Sequence, residues 1–452
     1  MVASFRTLTV CVAFAISNAV ALADNWPQFR GVDSLGIATG KAPPTAWDGE
    51  HGLNIKWEAA IPGLGLSSPV IGGDRIFLTT AVPESGDATL RVGLYGDIQP
   101  VKDDTPQSWR VICVDRKSGK IVWDKEAIKG VPKVKRHTKA SHANSTVSTD
   151  GRHVVAFFGA EGLYCFTVDG ELKWKKDFGP IDSGFFAVKT AQWGFGNSTI
   201  IHDGRLILQV DVQADSFVAA LDINDGREIW RTPRPEVPTW CTPAMYTHEG
   251  KKRIALNGWK HIGGYDFETG KEVWKIVGGG DIPVPTPIVS DGLIYLTSAH
   301  GPMRPVYAVK TSAEGDITPK STTEHSEHIA WWTDRRGNYM QTPIVMDGLL
   351  YLCMDNGLLS VLDAKTGSEV YKQRLGSGAT GFTASGVAAG GNLYFFAEDG
   401  TTYVIKAGRE FELVAENKMG DNVMASPAAV DGVLYVRGEK KLFAIEEGAA
   451  RK

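Results

Sequence analysis

Leu221–Trp230, read as LDINDGREIW, carries a spacing that recurs along this 452-residue chain. An Asp is followed four residues later by a Gly, and four residues after that by a large aromatic residue. The spacing recurs as Asp115–Gly119–Trp123, Asp266–Gly270–Trp274 and Asp363–Gly367–Tyr371, and its second half recurs as Gly170–Trp174. Asp bonds nearby backbone groups and Gly takes the left-handed conformation, so each copy predicts a tight turn between two strands. The aromatic residue then lies on the later strand, where it can pack over the turn of the neighbouring repeat.

A second pattern alternates with the first. It begins with a small hydroxyl residue, often followed by Pro, and continues into a β-rich run. Its eight copies start at Ser68, Ser145-Thr146, Ser198, Thr242, Thr286, Thr342, Ser385 and Ser426. Repeats of about 40–50 residues are typical of propellers, solenoids and arrays, and each repeat here divides into four short strands. We therefore predict an all-β, eight-bladed β-propeller.

The last repeat is incomplete. It runs from Ser426 to about Ile445 and supplies three strands, whereas Leu53–Trp57 near the N-terminus has the pattern of an isolated fourth strand. We predict that this N-terminal strand completes the last blade, because ring closure removes the free sheet edge. Residues 24–452 then form a single propeller domain.

Residues 1–23 have the features of a secretory signal peptide. Arg6 gives a basic start, an apolar run extends from Leu8 to about Ala19, and Ala21–Ala23 is a small-x-small cleavage site. The run is too short to span a bilayer as a helix. We therefore expect an exported protein, periplasmic or extracellular, that does not span the membrane. The formal net charge of −4 offers no basic excess for binding nucleic acid.

Four cysteines lie beyond the signal segment, at positions 113, 165, 241 and 353, and none are adjacent or in a CxxC motif. We expect them to be small buried hydrophobic residues. Because exported proteins can form disulfides, Cys113 and Cys165, in equivalent strands of adjacent blades, are the candidate pair. The spacing excludes haem attachment and zinc.

Long inserts mark one face of the predicted propeller. Since strand direction alternates, loops that enter the first strand share a face with loops between the second and third strands. Most long inserts fall there, at residues 81–109, 124–143, 175–196, 231–240 and 333–341, whereas the opposite face has one, at residues 311–328. Long loops on a rigid scaffold usually carry function, so we expect the site on the insert-rich face.

Eight residues of that face form the candidate ligand site. They are His142, Asn144, Trp193, Asn197, Trp240, Arg304, Asn338 and Gln341. Trp193 and Trp240 precede two first strands at equivalent positions and could sandwich a flat ligand or a sugar ring. Arg304 could bind a carboxylate. The alternative for each residue is a structural role in closing the ring or packing a loop, and no catalytic residue is assigned.

Two charged clusters are further candidates. Seven basic residues between Lys125 and Lys139 could bind an acidic polymer or a partner protein, or could belong to a solvated loop. Glu324, His325, Glu327 and His328 have metal-ligand composition but lie on the opposite face, and we predict no metal site there.

The two alternating patterns resemble the pyrroloquinoline-quinone (PQQ) repeat propellers over residues 25–447. That superfamily includes PQQ-dependent alcohol dehydrogenases and BamB-type outer-membrane assembly proteins. The segments Asn25–Gly31 (NWPQFRG) and Glu236–Pro243 (EVPTWCTP) also resemble exported PQQ-repeat proteins of planctomycete-type bacteria.

The resemblance implies two kinds of function. A BamB-like protein is a binding scaffold and needs no catalytic groups. The dehydrogenases hold PQQ on a Trp platform under a disulfide of adjacent cysteines, with Ca²⁺ bound by Glu, Asn and Asp side chains. This chain has no adjacent cysteines, and no ion ligands can be assigned.

We therefore predict a binding or scaffold protein for a partner protein or a small ligand at the funnel face, with no certain cofactor. A PQQ- and Ca²⁺-dependent alcohol or sugar dehydrogenase is one alternative. A carbohydrate-binding accessory protein with a polysaccharide partner is another.

Overall fold

The computed structural model describes residues 25–450 apart from residues 87, 95, 302 and 322–325. Its strands form eight sheets, which are the blades of a β-propeller. Regular helix in the described residues is limited to two 3-10 turns, Val32–Ser34 and Gly159–Glu161. The prediction of an all-β, eight-bladed propeller is confirmed. In this part of the chain no helix is long and apolar enough to cross a membrane. The predicted signal peptide lies outside the described residues.

Strands are numbered along the chain, and each blade is given from its innermost strand outward. Before the first blade come β1 (Ile37–Ala38) and β2 (Leu53–Ala60). Blade 1 contains β3 (Val70–Gly72), β4 (Arg75–Pro83), β5 (Gln107–Asp115) and β6 (Ile121–Gly130). Blade 2 contains β7 (Ser148–Thr149), β8 (His153–Phe157), β9 (Leu163–Thr167) and β10 (Leu172–Lys176). Blade 3 contains β11 (Ile200–His202), β12 (Arg205–Val210), β13 (Phe217–Asp222) and β14 (Glu228–Pro233).

The next three blades repeat the arrangement. Blade 4 contains β15 (Ala244–His248), β16 (Lys251–Leu256), β17 (Ile262–Asp266) and β18 (Glu272–Ile276). Blade 5 contains β19 (Ile288–Ser290), β20 (Leu293–Thr297), β21 (Val306–Lys310) and, after β22 (Gly315–Asp316), β23 (Ile329–Thr333). The short strand β22 pairs parallel with β18 and so adds a fifth strand to blade 4. Blade 6 contains β24 (Ile344–Met346), β25 (Leu349–Cys353), β26 (Leu358–Asp363) and β27 (Glu369–Arg374).

The last two blades use the N-terminal strands. Blade 7 contains β28 (Val387–Ala389), β29 (Asn392–Phe396), β30 (Thr401–Lys406) and β31 (Leu413–Lys418), with β1 parallel to β28. Blade 8 contains β32 (Ala428–Val430), β33 (Val433–Arg437) and β34 (Lys441–Ala450), and its fourth strand is β2. The pairing of Trp57 with Ala444 in antiparallel register closes the ring, so the predicted closure by an N-terminal strand is confirmed.

Five tryptophans connect neighbouring blades at the repeated turns. A Cβ added to Gly226, where φ is +72°, would lie 2.7 Å from Cε3 of Trp174 in the preceding blade. Trp174 Nε1 also donates to Ile223 O at 2.8 Å. The same arrangement places Trp57 on Gly119, Trp123 on Gly170, Trp230 on Gly270 and Trp331 on Gly367. The predicted packing over the neighbouring turn is confirmed for Trp123, Trp174 and Trp230, and both the φ angle and the ring exclude a side chain at the turn glycine. It is wrong for Trp274, which packs against Gly264 of its own blade and donates to Tyr246 Oη at 2.9 Å.

The small hydroxyl residues connect the blades at the centre. The backbone N–H of Thr146 donates to Ser198 Oγ at 2.9 Å, and that of Thr342 donates to Ser385 Oγ at 2.9 Å. Equivalent bonds join Ser68 to Thr146, Ser198 to Thr242, Thr286 to Thr342 and Ser385 to Ser426. The second sequence pattern therefore encodes a ring of contacts between first strands, because a small hydroxyl fits and accepts where the strands converge.

Residues 25–46 run through the centre of the propeller from the face opposite the long loops. Trp26 exchanges two backbone hydrogen bonds of 2.9 Å with Ile71 of blade 1. Arg30 is almost wholly buried, and its guanidinium donates to Pro343 O at 2.9 Å and Gly386 O at 2.8 Å. This segment thus ties blades 1, 6 and 7 together and closes the channel on that side.

All four described cysteines are buried and free. The candidate disulfide between Cys113 and Cys165 is therefore wrong, whereas the expected role as small buried hydrophobic residues is confirmed. Burial raises the pKa of the Cys113 thiol to about 11 and that of Cys165 to about 12, so both thiols are protonated and inert at neutral pH.

Candidate functional site

Two loops from blades 1 and 2 lie over one side of the central opening. Residues 84–106 join β4 to β5, and residues 131–147 join β6 to β7. Asp103 in the first loop accepts from Arg136 Nε at 3.1 Å and lies 3.2 Å from His142 Nε2 in the second. Both basic side chains are buried. The hydrogen bond from His142, followed by the influence of Arg136, holds the pKa of Asp103 below its usual range.

The predicted basic patch between Lys125 and Lys139 is largely neutralised by ion pairs. These pairs join Lys129 to Glu84, Lys133 to Asp177, Lys135 to Asp104, Arg136 to Asp103 and Lys139 to Glu398. These pairs lower the net positive charge of the patch, so the structure gives no support to a surface for an acidic polymer, and a role in binding an acidic polymer or a partner protein stays a prediction.

Glu398 of blade 7 connects the far side of the opening to the same loops. Its carboxylate is almost fully buried and accepts hydrogen bonds from Lys139 Nζ at 2.7 Å, Gly93 N at 2.7 Å and Thr383 Oγ1 at 2.5 Å. Since Gly93 and Lys139 belong to the two covering loops, this carboxylate holds both loops in place over blades 8 and 1.

A cavity of about 620 Å³ lies beneath the loops at the propeller axis. Phe29 from the N-terminal segment lines it, together with seven residues of the hydroxyl ring: Ser68, Thr146, Ser198, Thr242, Thr342, Ser385 and Ser426. Leu66, Met340, Met354 and Met424 add apolar surface. Because the N-terminal segment closes the channel below, a ligand approaches from the loop face. The volume is within the range of about 300–1,000 Å³ typical of small-molecule sites.

A continuous series of rings, the aromatic belt, follows the cavity wall and consists of Trp240, Trp193, Phe185, His300 and Tyr339. Trp193 lies 5.8 Å from Trp240 and 5.8 Å from Phe185, and the rings of Trp193 and Phe185 are nearly parallel at 9°. His300 lies 5.9 Å from Phe185 and 5.8 Å from Tyr339. The belt therefore extends from the entry of blade 3 to the entry of blade 6.

Two more rings extend from the belt to the outer edge of the face. Phe186 lies 4.4 Å from Trp259, and Lys260 Nζ is 5.2 Å from the centre of the Trp259 ring. The loop that carries Trp259 is fixed by the buried carboxylate of Glu236, which accepts from the backbone N–H groups of Trp259, Lys260 and His261 at 3.0, 3.1 and 2.6 Å. We call Phe186, Trp259 and Lys260 the rim.

Several polar side chains of the cavity wall have no protein partner. Across the described residues, no hydrogen bond or ion pair engages the Tyr339 hydroxyl, the Asp355 carboxylate or the Arg304 guanidinium, and all three residues line the cavity. Burial, with Asp355 nearby, raises the pKa of Tyr339 to about 12, so its hydroxyl stays protonated. His300 has an oriented ring, because its Nδ1 lies 2.7 Å from Asp281 Oδ1.

His137 also lines the cavity, where its ring lies edge-on to Trp193 at 5.2 Å. Burial and the nearby ammonium of Lys139 lower the pKa of His137 to about 4. The imidazole is therefore neutral at neutral pH, and its Nδ1 accepts a hydrogen bond from Lys139 N at 3.1 Å.

The structure separates the eight predicted site residues into three groups. Asn144, Trp193, Trp240 and Arg304 line the cavity. His142 anchors Asp103, as described above. The other three are buried. Asn197 Nδ2 donates to Cys241 O at 2.9 Å, and Asn338 Nδ2 donates to the backbone O of Gln341 at 3.1 Å.

Five further residues line the cavity that the sequence patterns do not predict as site residues: Phe29, Phe185, Tyr339, Asp355 and Glu398. Tyr339 directly follows the predicted residue Asn338. The sequence therefore predicts the correct loop, but Tyr339 and not Asn338 lines the cavity. Asp355 and Glu398 lie in short turns, at Asp355–Gly357 and Glu398–Gly400, where acidic residues are common for conformational reasons. No local pattern distinguishes them from ordinary turn residues.

The residues present do not fit a PQQ–calcium site. The described residues contain no group of three or more His, Cys, Asp or Glu side chains that could hold a metal ion. The chain has no adjacent cysteines, and Glu398 is occupied by Lys139, Gly93 and Thr383. Of the candidate metal cluster on the opposite face, Glu324 and His325 lie outside the described residues, while His328 Nε2 lies 3.4 Å from Glu327.

The chain matches a known protein family. A family model described as outer membrane protein assembly factor BamB matches residues 107–315 and 322–451. The chain belongs to this family. The outer membrane protein assembly factor BamB of Yersinia pestis is 19% identical over 273 residues, which are 49% of this chain and 66%, just under two thirds, of that protein.

Solved structures of this BamB-type family and of quinoprotein enzymes share its fold. BamB from Moraxella catarrhalis superposes with a TM-score of 0.53 at 12% identity, over 81% of this chain and 98% of the other. Quinohemoprotein alcohol dehydrogenase from Comamonas testosteroni gives 0.62 at 12% identity, over 96% and 82%. A europium-containing methanol dehydrogenase gives 0.64 at 10% identity, over 92% and 89%. At these identities the likeness concerns the fold alone.

Proposed function

We propose that this protein is an exported binding protein that holds a partner protein on its loop face, with the rim as the central contact. The observation that carries the proposal is the pair of half-exposed rings, Phe186 and Trp259, 4.4 Å apart beside the exposed Lys260. Aromatic residues are enriched in protein interfaces, and Trp is among the residues that contribute most to binding energy. The relative from Yersinia pestis is named an outer membrane protein assembly factor, and a factor that assembles outer membrane proteins acts on other proteins.

The rigidity of the rim supports this role. Glu236 is buried and holds three successive backbone N–H groups of the Trp259 loop, so the rings are positioned before a partner arrives. Preorganisation of this kind improves affinity because less conformational freedom is lost on binding.

The test uses site-specific photo-crosslinking in cells of the source organism. A photoreactive residue at Trp259 is expected to trap a partner, whereas one at Lys271, on a turn of the opposite face, is not. For the identified partner, Trp259→Ala should weaken binding at least tenfold, about 1.4 kcal/mol, while Lys271→Ala leaves it unchanged. Equal crosslinking from both positions, or unchanged affinity of Trp259→Ala, would overturn the proposal.

Export is part of the same proposal and has its own test. Cleavage after Ala23 predicts that the protein recovered from outside the cytoplasm begins at Asp24. N-terminal sequencing of that material decides it, and a protein that retains residues 1–23 in the cytoplasm would contradict it.

A further inference from the structure

We propose that the cavity is a second binding site, separate from the rim, and that it takes the end of a neutral oligosaccharide. Two unpartnered polar groups of the cavity wall point to such a ligand. The Asp355 carboxylate and the Tyr339 hydroxyl are half-buried, and neither has a hydrogen-bond partner among the described residues. Neither group is among the buried unpartnered polar atoms of the described residues, so both remain accessible in the cavity and can bond a ligand that enters it.

The donors and acceptors suit hydroxyl groups. Asp355 accepts hydrogen bonds, Arg304 donates several in a planar fork, and Tyr339 does both. Asn356, which lines the same wall, adds an amide with two donors. A sugar hydroxyl is both donor and acceptor, so one type of ligand group satisfies every member of this set.

The charge balance argues against a strongly charged ligand. Lys139 and Glu398 neutralise each other at 2.7 Å, and the neighbouring His137 is neutral. The cavity then offers one unpaired guanidinium, on Arg304, and carboxylates at Asp355 and Asp97. An anion would face those carboxylates and a cation would face Arg304, whereas a polyol meets both with hydrogen bonds.

The aromatic belt supplies the apolar part of the site. Trp193 and Trp240 lie 5.8 Å apart at an angle of 34°, and Tyr339 lies on the far wall beside His300 at 5.8 Å. Ring faces bind the C–H surfaces of a sugar ring while polar groups at its edge bind the hydroxyls. Rings and unpaired polar groups therefore occur together in one cavity, in the combination that a saccharide needs.

The closed floor decides how the ligand enters. Phe29 and the hydroxyl ring line the bottom, and Arg30 secures the segment that carries Phe29 through bonds to Pro343 and Gly386. A polymer cannot thread through such a channel, so the site would take a terminal sugar unit and leave the rest of the chain outside.

The test is titration of the mature protein, residues 24–452, with maltotriose, cellotriose, chitotriose and mannotriose, with binding measured by tryptophan fluorescence, and a screen of the same protein on a glycan array. At least one oligosaccharide is expected to bind saturably with a Kd between micromolar and millimolar. Asp355→Asn, Arg304→Gln and Tyr339→Phe should each weaken it at least fivefold. The matched controls Asp74→Asn and Arg152→Gln, in exposed turns of the opposite face, should not.

Absence of saturable binding across the titrations and the array would overturn the inference, as would binding that Asp355→Asn and Arg304→Gln leave unchanged. Photo-crosslinking from Trp259 is independent of these results, because the rim lies outside the cavity wall. If the sugar binds but Trp259 gives no specific crosslink, the proposed protein partner is wrong and the sugar site stands.

Discussion

Gly226 shows how much one position contributes to the contact between blades. Its φ is +72° and a Cβ would lie 2.7 Å from Trp174, whereas Gly204 has the same φ with nothing within 4 Å. Gly204→Ala is expected to cost roughly 1–2 kcal/mol for the left-handed conformation. Gly226→Ala should cost about 1–3 kcal/mol more, because the indole must also move. Urea unfolding of both variants measures the difference, and equal losses would show that the tryptophan contact is dispensable.

His137 predicts a pH dependence that belongs to a single side chain. Its pKa is about 4 in the folded protein and about 6.5 in an unfolded chain. Between these values the unfolded state binds more protons, so stability rises with pH and is lost as pH falls from 6.5 to 4. His137→Asn, whose amide oxygen can accept from Lys139 N, should lose less stability than the wild type between pH 7 and 4.5. If the free energy of unfolding depends on pH in the same way in both proteins, the pH dependence does not come from His137.

The N-terminal segment, residues 25–46, acts as a single element inside the ring. Arg30 is its buried anchor, with bonds to carbonyls of blades 6 and 7. Burial without a carboxylate partner lowers the pKa of its guanidinium to about 9, so the carbonyls alone compensate its charge. Arg30→Ala is expected to destabilise the protein by about 3 kcal/mol or more, since it leaves those carbonyls unpaired. Arg152→Ala, in an exposed turn, should change stability by less than about 0.5 kcal/mol. Thermal unfolding compares the stabilities of the two variants. An Arg30→Ala protein with wild-type stability would show that the bonds of Arg30 do not stabilise the fold.

At the scale of the whole molecule, ring closure depends on β2. A protein that begins at residue 47 lacks the N-terminal segment but keeps β2 (Leu53–Ala60), and we expect it to retain the oligomeric state of the full chain. A protein that begins at residue 61 exposes the edge of β34, and an exposed edge strand pairs with other chains. Size-exclusion chromatography with light scattering should therefore show association of the second protein alone. If the 61–452 protein has the same oligomeric state as the full chain, the open edge of blade 8 is protected in another way.

Local sequence patterns are enough to predict the repeat, the blade count, the closing strand and the face that carries the long loops. These features follow from local rules: a turn needs Asp and Gly at fixed offsets, and the aromatic residue four positions later recurs because every blade meets the same neighbour. The positions of Trp193 and Trp240 at the cavity could be anticipated for the same reason, since they precede equivalent first strands.

Which side chains meet at the axis depends on the tertiary structure. His142 and Asn338 carry suitable chemistry and lie in the right loops, yet Asp103 and Gln341 engage them. Tyr339 and Asp355, separated by a whole hairpin, share one wall. Whether a polar group faces a cavity or a neighbouring loop depends on contacts between residues distant in sequence, such as Lys139 with Glu398, 259 positions apart. Local sequence determines the conformation of turns and strands, whereas the closed ring determines which distant polar groups pair.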